Sequence, residues 1–167
     1  PAQVKKLGGH LNIIYFGGTK AKRVSHSTSM SETNAAIATT QIAQLVAFRL
    51  TEVFFESMLG YKPTLRQTVD LQRQDFTTIP VDHCTDCMDL FELVTGERGI
   101  SNDKQQRIAI LSLREDRLTG RIRNFVHVPT CIMLADGLTK SGTFHQLLKC
   151  CTCGVVDVKL PEGNTSA

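Results

Sequence analysis

The longest continuous pattern in this chain is helical. It starts at Ser29 or Ser31, either of which can cap it, and runs to about Leu59, where Gly60 supplies a stop. Ile42, Leu45, Val46, Val53 and Phe54 recur along it at helical spacing. On both sides of this helix, strand-like and helical runs alternate, so the fold class is α/β. His10–Phe16 reads as a strand closed by the Gly17-Gly18 turn signal, and Arg23–Ser27 as a second strand completing a hairpin. Residues 60–76 form a connection with some helical tendency. Thr77–Thr85 reads as a third strand and Asp86–Val94 as a short helix, and Asn102 or Asp103 caps another helix through Leu118. Arg121–Val128 is strand-like up to Pro129, and Thr130–Thr139 is helical again. Val155–Leu160 is strand-like ahead of a polar end expected to be disordered.

At 167 residues the chain has room for one domain with a genuine core. Apolar residues at 41% and charged residues at 21% are ordinary for a soluble globular protein. No apolar run reaches membrane-spanning length and no signal peptide is visible, which predicts a reducing, intracellular setting. There the six cysteines would remain free thiols. A net charge of +3 points weakly to an anionic partner. The chain opens on Pro-Ala-Gln-Val with no initiator Met and reads as part of a longer protein.

Three short stretches, far apart in sequence, each carry an acid at or near the end of a predicted element. They are Ser31-Glu32-Thr33-Asn34-Ala35-Ala36, Cys84-Thr85-Asp86-Cys87 and Leu134-Ala135-Asp136-Gly137-Leu138-Thr139-Lys140. Glu32 opens the long helix, Asp86 ends a strand-like run, and Asp136 sits in a short helix after a second strand. Carboxylates brought to one point repel each other unless a cation neutralises them, and Mg²⁺ prefers such oxygen ligands. The blander readings are a helix-dipole interaction for Glu32, a helix cap for Asp86 and a solvent-facing residue for Asp136. Asp89 reads as a surface acid, and Asp82, on the same strand face as Asp86, is a weaker alternative ligand.

The order of elements and these stretches together resemble the ribonuclease H domain of copia-type retrotransposon polyproteins. Val24-Ser25-His26-Ser27-Thr28-Ser29-Met30-Ser31-Glu32 is similar to that family's Val-Ser-Arg-Ser-Ser-x-x-x-Glu segment. Thr85-Asp86-Cys87-Met88-Asp89-Leu90 is similar to its Cys-Asp-Asn-Gln-Ser-Ala segment. Val128-Pro129-Thr130, with Leu134-Ala135-Asp136 and Leu138-Thr139-Lys140, is similar to its Val-Pro-Thr…Leu-Ala-Asp-x-Leu-Thr-Lys segment at equal spacing. The resemblance covers roughly residues 8–141. It implies a ribonuclease H-like mixed sheet with flanking helices over residues 1–141, followed by a Cys-rich tail over 142–167. It also implies that Glu32, Asp86 and Asp136 are metal ligands in two-metal hydrolysis of the RNA strand of RNA–DNA hybrids. The metal would be Mg²⁺, with Mn²⁺ able to replace it, and the implied partner is an upstream reverse transcriptase domain of the same polyprotein.

The family's site has a fourth carboxylate, an Asp on a first, central strand preceding the hairpin. Pro1–Gly9 contains no Asp or Glu. The sheet is therefore expected to be N-terminally truncated, and the chain is expected to be inactive by itself. A non-catalytic remnant or structural module from a decayed element is the second reading.

Basic residues supply the candidate nucleic-acid contacts. Lys20, Lys22 and Arg23 form one cluster, and Arg107, Arg114 and Arg121 belong to a longer basic stretch over Glu97–Arg123. A solvated helix face is the alternative for both. Cys84 and Cys87 with Cys150 and Cys153 have the spacing of four zinc thiolates, while idle or buried thiols are the simpler reading. His127, just ahead of Val128-Pro129, reads as structural.

Overall fold

Ser27 sets where the long helix begins. Its hydroxyl accepts the Met30 N–H at 3.2 Å, capping α1, Thr28–Leu59. The cap lies ahead of Ser29 and Ser31, the residues the pattern favoured. Gly60 ends the helix as expected, in the left-handed region at φ 73°, with its N–H on the Glu56 carbonyl. The computed structural model describes residues 7–15, 17, 27–73, 77–100, 102–138 and 144–158. The order is β1 Leu7–His10, α1, α2 Leu65–Gln72, β2 Asp82–Thr85, α3 Met88–Thr95, α4 Lys104–Leu118 and β3 Asn124–His127. Two 3-10 helices, Thr130–Ile132 and Leu134–Leu138, lead to α5 Phe144–Cys153 and β4 Val155–Val158. Among the described residues no helix is long and apolar enough to cross a membrane.

The chain is mixed α/β, and among the described residues the strands form two separate two-stranded sheets. β2 and β3 pair in parallel with Thr85 opposite His127, and β1 pairs antiparallel with β4, Leu7 opposite Val158. Two expectations are corrected here. The first strand is Leu7–His10 rather than His10–Phe16, and its partner is the tail strand at 155–158. The other half of the expected hairpin, at 23–26, lies outside the described residues. β2 is also shorter than Thr77–Thr85, because a strand extends only where it has a partner. Further upstream, the Thr78 N–H is taken by the Thr51 hydroxyl at 3.1 Å instead of by a neighbouring strand.

α1 buries a face that hydrophobic periodicity did not indicate. Met30, Thr33, Ala36, Thr40, Ala47, Phe48, Thr51 and Phe55 are buried, whereas Ile42, Leu45, Val53 and Phe54 are exposed. Small residues let the helix approach its neighbours closely. The buried threonines do not leave orphan hydroxyls: Thr33 and Thr51 donate to the carbonyls of Ser29 and Ala47 one turn earlier.

Two apolar clusters share this helix. The larger joins Ala36 to Leu90, Phe91, Leu93 and Val94 of α3, Ile110 and Leu113 of α4, and Ile122 and Phe125 beside and on β3. The smaller is Phe48, Phe55 and Leu71, with Leu59 against it. α4 starts at Asp103, whose carboxylate accepts the Gln106 N–H at 2.8 Å. The buried Gln106 side chain in turn donates to the Ser29 hydroxyl at 2.9 Å, tying the N-termini of α4 and α1 together. The tail is more structured than expected, since α5 packs against the second 3-10 helix. The polar end expected to be disordered lies outside the described residues.

Candidate functional site

Parallel strands deliver their following residues to the same edge. Asp86 follows β2, and Val128 to Asp136 follow β3, so both segments leave the carboxyl end of the strand pair. In open α/β sheets this edge is where ligands usually bind.

Glu32 reaches the same level by a different route. α1 runs antiparallel to β2, with Thr51 tied to Thr78 and Thr40 Oγ1 3.2 Å from His83 Nδ1. Between these ties the helix advances about 16 Å, and an extended chain covers at most about 17 Å. Continuing from Thr40, Glu32 falls about 12 Å further along the helix, which is level with Asp86 and Cys87. Glu32, Ala36 and Thr40 lie on one stripe of α1, and Ala36 belongs to the cluster against which Cys87 packs. The electrostatics agree. Burial raises the Cys87 thiol above its ordinary value, and the charges of Glu32, Asp89 and Asp86 raise it further.

The peptide after Asp86 is held firmly. The Cys87 N–H donates to Thr85 Oγ1 at 3.1 Å, and His127 Nε2 lies 3.2 Å from the Asp86 carbonyl oxygen. The expected structural role of His127 takes the form of a ring contact with the backbone of a candidate ligand.

Asp136 lies in the second 3-10 helix, half-buried, with its N–H on the Met133 carbonyl at 3.2 Å. Asp89 is exposed and paired with Arg98 at 2.8 Å. Asp82 stands at the opposite end of β2. It accepts from Arg123 Nε at 2.9 Å and Asn124 Nδ2 at 2.7 Å, and it is ion-paired with Arg123 Nη2, so it serves the strand pair and not the acidic edge.

The basic candidates divide. Arg107 is exposed on the first turns of α4, beside the Gln106–Ser29 tie that brings this helix end to the acidic edge. Arg114 turns inward, with Nε and Nη2 at 2.8 and 2.5 Å from the Leu93 carbonyl, closing the C-terminus of α3. Arg121 pairs with Asp116 at 3.6 Å. Lys20, Lys22 and Arg23 lie outside the described residues. All six cysteines are free thiols, and burial first, then the Asp82 charge, pushes Cys84 up to about 11.

Among the described residues no three His, Cys, Asp or Glu side chains stand close enough to hold a metal ion, whether zinc on thiolates or Mg²⁺ on carboxylates. A smaller donor set fits Mg²⁺, which commonly takes one or two protein carboxylates and completes its shell with water and substrate phosphate. Glu32 and Asp86 supply that number. No family model, curated protein or solved structure matches the chain, so its site is defined by its own geometry.

Proposed function

We propose that this chain is the ribonuclease H-like part of a copia-type retrotransposon polyprotein, acting as a metal-dependent endonuclease on the RNA strand of RNA–DNA hybrids. What supports the reading is that helix and strand rise put Glu32 about level with Asp86 at the carboxyl end of the parallel strands, with the Asp136 segment leaving the same edge. In this reading Glu32 and Asp86 hold Mg²⁺ or Mn²⁺, and Asp136 is the third carboxylate of the edge. When bound there, the ion supplies positive charge against the charge that develops on the scissile phosphate. The two carboxylates act as ligands and carry no proton in the reaction. Lys104 and Arg107, exposed on the neighbouring helix end, meet the backbone phosphates of the hybrid. Its A-like shape and 2′-hydroxyls distinguish it from duplex DNA. A reverse transcriptase domain ahead of this segment in the same polyprotein would supply the hybrid, inside the cell.

A second reading, hybrid binding without hydrolysis, is favoured by the absence of a three-ligand metal group among the described residues. Incubating the chain, joined to a preceding strand that carries the fourth carboxylate, with a labelled hybrid in Mg²⁺ separates the two; the chain alone should cleave poorly. Cleavage that falls at least about a hundredfold in Asp86→Asn and in Glu32→Gln supports the nuclease, since ligand loss removes the electrostatic stabilisation. Retained binding with no cleavage supports the module. Cleavage indifferent to both substitutions rejects the site.

A further inference from the structure

One peptide unit at the acidic edge is fastened at both of its polar ends. The Asp86–Cys87 peptide gives its N–H to Thr85 Oγ1 at 3.1 Å, and its carbonyl oxygen lies 3.2 Å from His127 Nε2. Thr85 and His127 are themselves register partners across the parallel pair, and the Val128 N–H bonds to the Thr85 carbonyl at 2.8 Å. Both supports therefore come from the last rung of the strand ladder. With its plane fixed at two points, the peptide cannot swivel, and the direction in which Asp86 leaves the backbone is set.

The chemistry of the ring fixes its protonation pattern. A carbonyl oxygen only accepts, so Nε2 must carry the proton. Nδ1 is buried without a hydrogen-bond partner among the described residues. The ring stands 6.1 Å from the buried Phe91 ring, centroid to centroid. A second N–H there would be a buried donor lacking an acceptor, which is costly. Nε2 is thus the nitrogen that donates to the Asp86 carbonyl oxygen.

We propose that Thr85 and His127 form a two-point clamp on the Asp86–Cys87 peptide, with His127 as the positioning residue that aims the Asp86 carboxylate toward Glu32. The clamp rests on the reading of Glu32 and Asp86 as a cation site, and the test separates the two. Mn²⁺ is titrated into the isotopically labelled 167-residue chain while the amide signals of Glu32 and Asp86 are followed. The His127 ring nitrogens are recorded in parallel.

The wild type should show early broadening at both amides and the Nε2–H tautomer at His127. His127→Phe keeps the ring's bulk but loses the donor, and should need about ten to a hundred times more Mn²⁺, as loss of an outer-sphere support does. His127→Gln restores a donor and should recover part of the affinity, which simple loss of packing would not explain. Should the Phe variant fail to fold, Thr85→Val and Thr85→Ser repeat the comparison at the other support, with weakening expected only for Val. Normal Mn²⁺ affinity in His127→Phe, or an Nδ1–H tautomer in the wild type, overturns the clamp and leaves the acidic site standing. Absence of broadening at Glu32 and Asp86 in the wild type overturns both.

Discussion

The two halves of α1 lie in different surroundings. Its first half is locked into the larger cluster with α3, α4 and β3, where Leu90, Ile110, Leu113 and Ile122 are at most 1% exposed. Its second half rests on a small cluster with α2, while Val53 is 74% exposed and Leu65, at the start of α2, 83%. The acidic edge belongs to the first half. Glu32 lies in the half where packing and polar ties coincide, and the looser half carries none of the candidate ligands.

The largest test of this contrast is a matched pair of truncations. Leu113→Ala should lose about 4–5 kcal/mol of unfolding free energy and Leu71→Ala about 2, because the small cluster collapses more easily around a void. Equal losses in denaturant titrations would erase the distinction.

Acid should attack the tight half next, through His83. Burial lowers its value from 6.5 to about 4, while its ring stacks on Phe125 at 4.6 Å and meets the Thr40 hydroxyl. The folded state resists protonation that the unfolded chain accepts. The contribution is therefore whole above pH 6.5, declines as the pH falls toward about 4, and is gone below that. Melting temperatures measured across that window should fall, and His83→Phe should flatten the slope. An unchanged slope would show that another group carries it.

A smaller acid effect belongs to Asp82. Burial alone would raise its carboxyl, but hydrogen bonds from Arg123 and Asn124 and the Arg123 charge outweigh it, so the net shift is downward. Its contribution is present above the ordinary value of 3.8 and is lost as the pH falls through the lower folded value. Arg123 is half exposed, so Arg123→Ala should cost only about 1 kcal/mol at neutral pH, with the loss shrinking in acid. Smallest of all, Val53→Ser on the exposed face should change stability by no more than about 0.5 kcal/mol. A larger loss would mean that this face is covered in solution.

Much of the helical skeleton was legible in the sequence because caps are local chemistry. Asp103 starts α4 and Gly60 stops α1 at the expected residues. The buried face of α1 was not legible, since periodicity scores Ile42 and Val53 above Thr33 and Thr51, while packing favours small side chains whose hydroxyls bond back to their own helix. Strand lengths were overread because a strand ends where its partner does, and β1 found its partner in the tail, far off in sequence. Glu32 and Asp86 stand out in the sequence only as candidates, through their flanking residues. The role of His127 depends on the register of β2 against β3, which no local pattern contains.

The antiparallel run of α1 beside β2 acts as a vernier. Substitutions on the stripe of Glu32, Ala36 and Thr40 alter contacts one at a time, but an added or deleted residue changes phase. One extra residue between Glu32 and Ala36 turns the acid about 100° around the axis and lifts it about 1.5 Å. That rotation carries Glu32 off the stripe it shares with Ala36 and Thr40, even though every downstream contact of the helix survives. Changes in length just after Ser31 should therefore disturb the placement of Glu32 more than changes in identity at the neighbouring positions.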